Sequence, residues 1–238
     1  MKKLIIANFK MFKSPQDCEQ YSKGFIKLVK KCQNDIALCP SFVCLTTLSK
    51  ALKKSKVMCG AQNMANHLEG AYTGEVSATM IKNSGASLVL LGHSERRRYY
   101  GETDELVNEK LKISIENGLL SVVCLADDGG EGYEQNIKSQ LATLLNGVTD
   151  FSKVVIAFEP VWAIGTGKTM GVDQIEDVLG FVKRELKQNY SSSIKVLYGG
   201  SVNSSNAKQI LVLNNVDGLL VGGASKDYNE FAKICLSY

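Results

Sequence analysis

Eight short apolar runs punctuate the chain: LIIANF (4–9), IALCPS (36–41), KVMCGA (56–61), SLVLLGH (87–93), SVVCLA (121–126), KVVIAFE (153–159), KVLYGG (195–200) and GLLVGG (218–223). They are continuously apolar rather than alternating, the pattern of strands covered on both faces and hence of a parallel sheet. Between them lie segments with helical spacing and capping residues, such as SPQDCEQYSKGFIKLVKK after the first run and VDQIEDVLGFVKRELKQN after the sixth. An eightfold strand–helix alternation within 238 residues, without a linker or a break in composition, predicts one (β/α)8 barrel of eight parallel strands surrounded by helices, a single domain over residues 1–238. An open doubly wound sheet is the alternative.

Each run has a polarity. Reactive or glycine-rich residues gather at its C-terminal end: Asn8 and Lys10, Gln62 and Asn63, His93, Glu159, Gly199 and Gly200, Gly222 and Gly223. In a closed barrel those ends meet at one mouth, where active sites of this architecture lie. Asn8 and Lys10 are two apart, so strand alternation predicts that both point into it.

Composition narrows the function classes. The seven cysteines are odd in number and irregularly spaced, without a C-x-x-C pair, and His67 and His93 are the only histidines. Neither a disulfide framework nor a metal site is expected. A net charge of +4 is mild, and the lysines at 27, 30, 31, 50, 53, 54 and 56 stand among few aromatics, so they read as solvated helix faces rather than a nucleic-acid stripe. LIIANF is too short for a signal-peptide core, and no apolar run approaches the roughly 18 residues that cross a bilayer. A cytoplasmic protein with no membrane partner is expected, and a small anionic substrate suits its charge.

The stretch EPVWAIGTGKT (159–169) ends like a nucleotide phosphate loop. That loop needs a glycine five positions before its Gly-Lys pair, where the backbone turns tightly, and this chain has Trp162 there. An NTPase would depend on Lys168 and Thr169. A non-catalytic phosphate-binding barrel would keep the glycines and lose an acid–base residue.

Taken in order, ANFKM, GAYTGE, GHSERR, EPVWAIGTGKT, YGGSV and VDGLLVGGAS resemble the motifs of the triosephosphate isomerases along essentially the whole chain. The resemblance implies interconversion of dihydroxyacetone phosphate and D-glyceraldehyde 3-phosphate through an enediolate, without cofactor or metal, in a homodimer. It makes Glu159 the base, His93 the neutral electrophile and Lys10 the cation of the site. It assigns substrate contacts to Asn8, Lys10, Gly165, Ser201, Gly222 and Gly223, and supporting positions to Ser94, Glu95, Cys124, Trp162 and Tyr198. Glu95 is expected to pair with Lys10, and Arg96 to brace the subunit interface. EPVWAIGTGKT then corresponds to the family's mobile lid, and desolvation as that lid closes should raise the pKa of Glu159. The long stretch QNMANHLEGAYTGE, with apolar Met64, Leu68 and Tyr72, reads as an interlocking arm or, alternatively, a self-packed surface loop, and the resemblance implies that it carries Thr73 and Glu75 into the partner subunit. Three positions depart from the family pattern. Phe158 stands where the family usually has a tyrosine whose hydroxyl accepts the lid tryptophan's indole N–H when the lid is open, Asp127 where a glutamate usually accepts it when the lid is closed, and Phe12, a change that bears on the subunit interface, where a polar residue is usual.

Overall fold

A computed structural model describes residues 2–127, 129, 132–163 and 170–238. Its strands are β1 (Leu4–Asn8), β2 (Asp35–Cys39), β3 (Met58–Ala61), β4 (Leu88–Leu91), β5 (Leu120–Asp127), β6 (Val154–Pro160), β7 (Lys195–Tyr198) and β8 (Gly218–Val221). The helices among the described residues are α1 (Pro15–Leu28), α2 (Leu45–Leu52), α3 (Ala78–Asn83), α4 (Ser94–Tyr100), α5 (Asp104–Glu116), α6 (Tyr133–Leu144), α7 (Val172–Asn189), α8 (Ala207–Leu211) and α9 (Tyr228–Cys235). All strand pairs are parallel, and the order β1 to β8 closes on itself, which excludes the open sheet. Closure is made by Leu4 to Ala7 of β1 against Gly218 to Val221 of β8.

The continuous apolarity of the runs now has a geometric cause. One residue of each strand points into the barrel and the next lies under the helices. Leu4, Ile6, Ala37, Cys39, Leu88, Leu90, Val122, Cys124, Val155, Ala157, Leu197 and Leu220 form a cluster made of strand side chains alone, the filled barrel interior. Their neighbours, Ile5, Ala7, Val89, Leu91, Val123, Ile156, Phe158 and Tyr198 among them, pack with helix residues such as Phe25, Leu111 and Leu179.

Local signals set the helix boundaries. Ser14 accepts a hydrogen bond from the Asp17 amide while Asp17 accepts from Ser14, and Pro15 occupies the first turn, so α1 begins where its sequence caps it. The face of α1 that turns inward carries Cys18, Tyr21 and Phe25. On α5 that face carries Val107, Lys110, Leu111 and Ser114, so a lysine sits on the buried side. Lys110 donates to Asn63 Oδ1 (3.0 Å) and pairs with Glu102, which also accepts from Arg96 Nε (2.7 Å). This buried polar knot joins the segment after β3 to α4 and α5. It also accounts for Arg96 within its own chain, where the guanidinium further lies 4.8 Å from the Tyr100 ring centroid.

The stretch from Gln62 to Glu75 divides in two. Met64 is fully buried in the protein's own core, whereas Leu68, Tyr72, Thr73 and Glu75 are exposed, with the rings of His67 and Tyr72 stacked at 3.8 Å. No helix among the described residues is long and apolar enough to cross a membrane.

Candidate active site

The inward columns of two strands end in polar groups. Leu4 and Ile6 lead to Asn8 in β1, and Val155 and Ala157 lead to Glu159 in β6, so the alternation that fills the barrel also places these two side chains at its mouth. Asn8 is 5% exposed and Glu159 1%. Lys10 arrives by another route. It lies beyond β1 in a left-handed conformation, φ 49°, so a turn rather than strand alternation aims it. That backbone is held on both sides: the Lys10 amide donates to Asn8 Oδ1 (3.0 Å), and Gln62 Nε2 donates to the Lys10 carbonyl (2.9 Å) and to that of Cys39 (2.8 Å). Such over-determination is what keeps a non-glycine residue in this region. The Lys10 ammonium reaches Glu95 Oε1 at 2.6 Å, the expected pair.

His93 follows β4 through Gly92 and caps α4, where Nδ1 accepts the Glu95 amide at 3.2 Å. Nε2 lies 3.0 Å from Glu159 Oε1, while Glu159 Oε2 accepts the Ser94 amide at 2.9 Å. Burial lowers the pKa of the imidazole and the Glu159 carboxylate raises it, and the balance is upward. The amide directed at Nδ1 nevertheless requires a lone pair there. With Nε2 facing a carboxylate, the arrangement that satisfies both contacts is the neutral Nε2–H tautomer.

Burial pushes Glu159 up, but the His93 imidazole and the hydrogen bonds from His93 and Ser94 outweigh it and hold the carboxyl below its ordinary value. In this arrangement the expected elevation is therefore absent. Beside it, inside the barrel, burial and then the Glu159 charge drive the Cys124 thiol well above its usual range, so Cys124 stays protonated at the carboxylate's flank.

Two glycines give these side chains room. A Cβ on Gly199 would lie 3.1 Å from Glu159 Cγ, and one on Gly222 would lie 3.1 Å from Lys10 Cε. The result is a 540 Å³ cavity lined by Asn8, Lys10, His93, Glu95 and Glu159 on one side and by Ser201, Gly222 and Gly223 on another. A Cβ on Gly223 would meet nothing within 4 Å, so its backbone is open to the cavity. Ser94 and Cys124 stand behind the lining, in contact with Glu159. Tyr198 is fully buried, its hydroxyl between Gly200 and the Met170 backbone; burial pushes its pKa up to about 12 against the pull of that backbone. The Trp162 indole lies against Gly129. Phe158 points away from the mouth, fully buried in the cluster under the helices.

Gly165, Lys168 and Thr169 lie outside the described residues. Thr73 and Glu75 are not brought to the cavity of their own chain. Among the described residues no group of three or more His, Cys, Asp or Glu is arranged to hold a metal ion. Sequence reasoning missed Lys226 and Asn203 as lining residues, and it treated Phe12 only as a departure at an interface. No local signal marks Lys226, because what makes it a lining residue is the first loop it faces through Phe12.

The arrangement offers a buried base, a neutral imidazole donor and an ammonium on one side of a small cavity, with open glycine backbone on another. That is the equipment for moving a proton next to a carbonyl in a small phosphorylated molecule. The sequence profile of the triosephosphate isomerase family matches residues 3–238. The chain is 40% identical to the triosephosphate isomerase of Dictyoglomus thermophilum over 99% of both chains. It is 41% identical to that of Trichodesmium erythraeum over 98% of both, and 38% identical to that of Bacteroides fragilis over 98% of this chain and 97% of the relative. With a match from the first strand to the last helix, the chain belongs to the triosephosphate isomerase family.

Proposed function

We propose that Glu159, His93 and Lys10 perform the reaction of this family, the interconversion of dihydroxyacetone phosphate and D-glyceraldehyde 3-phosphate through an enediolate. The observation that carries the assignment is their convergence, from β1, β4 and β6, on one cavity walled by the Gly222–Gly223 turn. Glu159 takes the proton from the hydroxyl-bearing carbon, the pair left behind forms the C=C bond of the enediolate, and the carbonyl pair moves onto its oxygen. When Glu159 returns the proton to the former carbonyl carbon, the former hydroxyl oxygen becomes the new carbonyl. His93 donates its Nε2 proton to the first carbonyl oxygen and recovers one from the other oxygen as that becomes the new carbonyl, and Lys10, held by Glu95, offsets the developing charge.

Substrate oxygens compete with Glu159 for His93. Once they replace it, the carboxylate loses an interaction that holds its pKa down while the burial that raises it remains. The base strengthens as the substrate seats. The phosphate lies at the glycine-rich side, against backbone of Ser201, Gly222 and Gly223 and, from the lid, Gly165.

The enzyme works as a homodimer in the cytoplasm. Exposed Met11 in the first loop and Leu68 and Tyr72 in the arm form the apolar material of the interface, and seven free cysteines suit a reducing compartment. Sedimentation checks the assembly, and a monomer fully active at micromolar concentration would contradict it.

A coupled assay with D-glyceraldehyde 3-phosphate, run with a chelator and without nucleotide, tests the reaction. Wild type turns over under these conditions. Glu159→Asp, retracting the carboxylate by one methylene, keeps binding of a phosphate-bearing enediolate analogue and loses turnover by on the order of 10²-fold. Near-normal turnover of that variant would end the assignment of the base.

A further inference from the structure

We propose that Lys226 is a specificity-determining residue of this cavity, a second ammonium that draws the phosphate dianion inward; the inference rests on the isomerase reading of the site. Residues Gly223–Lys226 form a single 3-10 turn directly after β8, so Lys226 is carried to the same wall as Ser201, Gly222 and Gly223. Its ammonium lies 4.4 Å from the ring centroid of Phe12, which lines the cavity from the first loop and is 60% exposed. An aromatic face holds a cation without neutralising it. The backbone of Lys226 is fixed as well, because Lys13 Nζ donates to its carbonyl at 2.8 Å while lying over the rings of Phe9 and Tyr21. The first and eighth loops are thus clasped at two points, one through the main chain and one through the side chain of Lys226.

The charge remains available. Among the described residues Lys226 forms no ion pair. The adjacent carboxylate, Asp227, is turned to the amides of Asn229 and Glu230, each at 2.9 Å. The charged side chains lining the cavity are Lys10 and Lys226 against Glu95 and Glu159. Without Lys226 the carboxylates outnumber the cations, and the cavity repels the dianion it must admit. With Lys226 the lining is balanced and its cation stands on the side of the glycine turn.

The test compares wild type, Lys226→Met and Lys226→Arg in two measurements: isomerase kinetics at low and high salt, and titration with inorganic phosphate followed by calorimetry. At about 20 mM ionic strength, Lys226→Met should lose roughly fivefold in kcat/KM, chiefly through KM, and the same factor in phosphate affinity. Near 0.5 M salt the deficit should shrink below about twofold, because an exposed charge is screened. Lys226→Arg should restore most of both quantities. Unchanged kcat/KM and phosphate affinity in Lys226→Met at low salt would overturn the proposal, as would a deficit equal at all salt concentrations, the mark of lost packing. Absence of turnover in wild type would instead refute the isomerase reading, and the phosphate titration would still decide the role of Lys226.

Discussion

Replacing Gly199 by alanine should slow turnover while leaving the barrel folded. The added Cβ would stand 3.1 Å from Glu159 Cγ and 3.1 Å from the Phe158 carbonyl oxygen. Comfortable carbon contacts begin at about 3.5 Å, so roughly 0.4 Å must be found. The Phe158 carbonyl cannot easily supply it, because it is fixed in β6 and accepts the Gly199 amide at 2.8 Å. The stem of Glu159 gives instead, and the carboxylate shifts relative to the His93 Nε2 and the Ser94 amide. If a misplacement of about 1 Å costs about 10²-fold, one of roughly 0.4 Å costs about sixfold, and the loss falls on kcat. Overpacking should cost about 1–3 kcal/mol, offset by the 0.4–1 kcal/mol or so gained from restricting the unfolded chain. The net corresponds to a melting temperature lower by only several degrees, since about 1 kcal/mol shifts a domain of this size by roughly 2–4 °C. Steady-state kinetics at 25 °C beside a thermal melt separates the two effects. Wild-type kcat in a variant whose crystal structure retains the Glu159 position and accommodates the methyl group would refute the reasoning.

Three further outcomes are expected. Lys10→Met should lower kcat/KM by on the order of 10²-fold in the coupled assay, since it removes the cation and leaves Glu95 facing the cavity uncompensated; an unchanged specificity constant would remove Lys10 from the site. Glu102→Gln should destabilise the protein by about 3–5 kcal/mol in urea at neutral pH, because the charge of buried Lys110 loses its partner. Burial pushes the Glu102 carboxyl up, but hydrogen bonds from Lys110 and Arg96 outweigh it and hold its pKa low. Its contribution is therefore complete above the unfolded value of about 4.3 and is lost as pH falls through the lower folded value, so the gap between variant and wild type should close only in acid. Phe158→Tyr should speed lid opening and weaken a closed-state inhibitor, read from the fluorescence of Trp162, the sole tryptophan; equal opening rates and equal affinities in the two proteins would show that the hydroxyl has no part in gating.

The parts of the fold and site legible in the sequence were those set by local periodicity. The eight runs fall on the eight strands because a strand covered on both faces needs an apolar residue at nearly every position, and α7 spans the whole segment read as helical after the sixth run. Asn8 and Glu159 were legible at strand ends because the inward column simply continues into them. Lys10 was placed correctly for the wrong reason: a positive φ in a lysine leaves no trace in hydrophobic pattern, and what enforces it, Gln62, is far away in sequence. The contact of His93 with Glu159 joins β4 to β6 across the barrel mouth and depends on three-dimensional closure. Lys110 could have been found, because a charged residue in register with Val107, Leu111 and Ser114 announces a buried partner, although not that the partner is Glu102. Lys226 was hidden for the opposite reason, since a lysine after a turn is unremarkable until the loop it faces is known.

The seam between the first and last strands also governs how the protein comes off the ribosome. Lys3, just before β1, donates to the carbonyl of Val216, 213 residues further on, and β1 cannot gain its second neighbour until β8 has been made. At about 5–20 residues per second, that neighbour arrives roughly 10–40 s after β1 is synthesised. Throughout that interval the nascent chain carries a half-paired LIIAN strand with open hydrogen-bonding groups along one side. Cellular yield should therefore depend on what shields that edge during translation, and a slower ribosome or a shortage of chaperones should appear as aggregation of unfinished chains rather than as any defect in the finished enzyme.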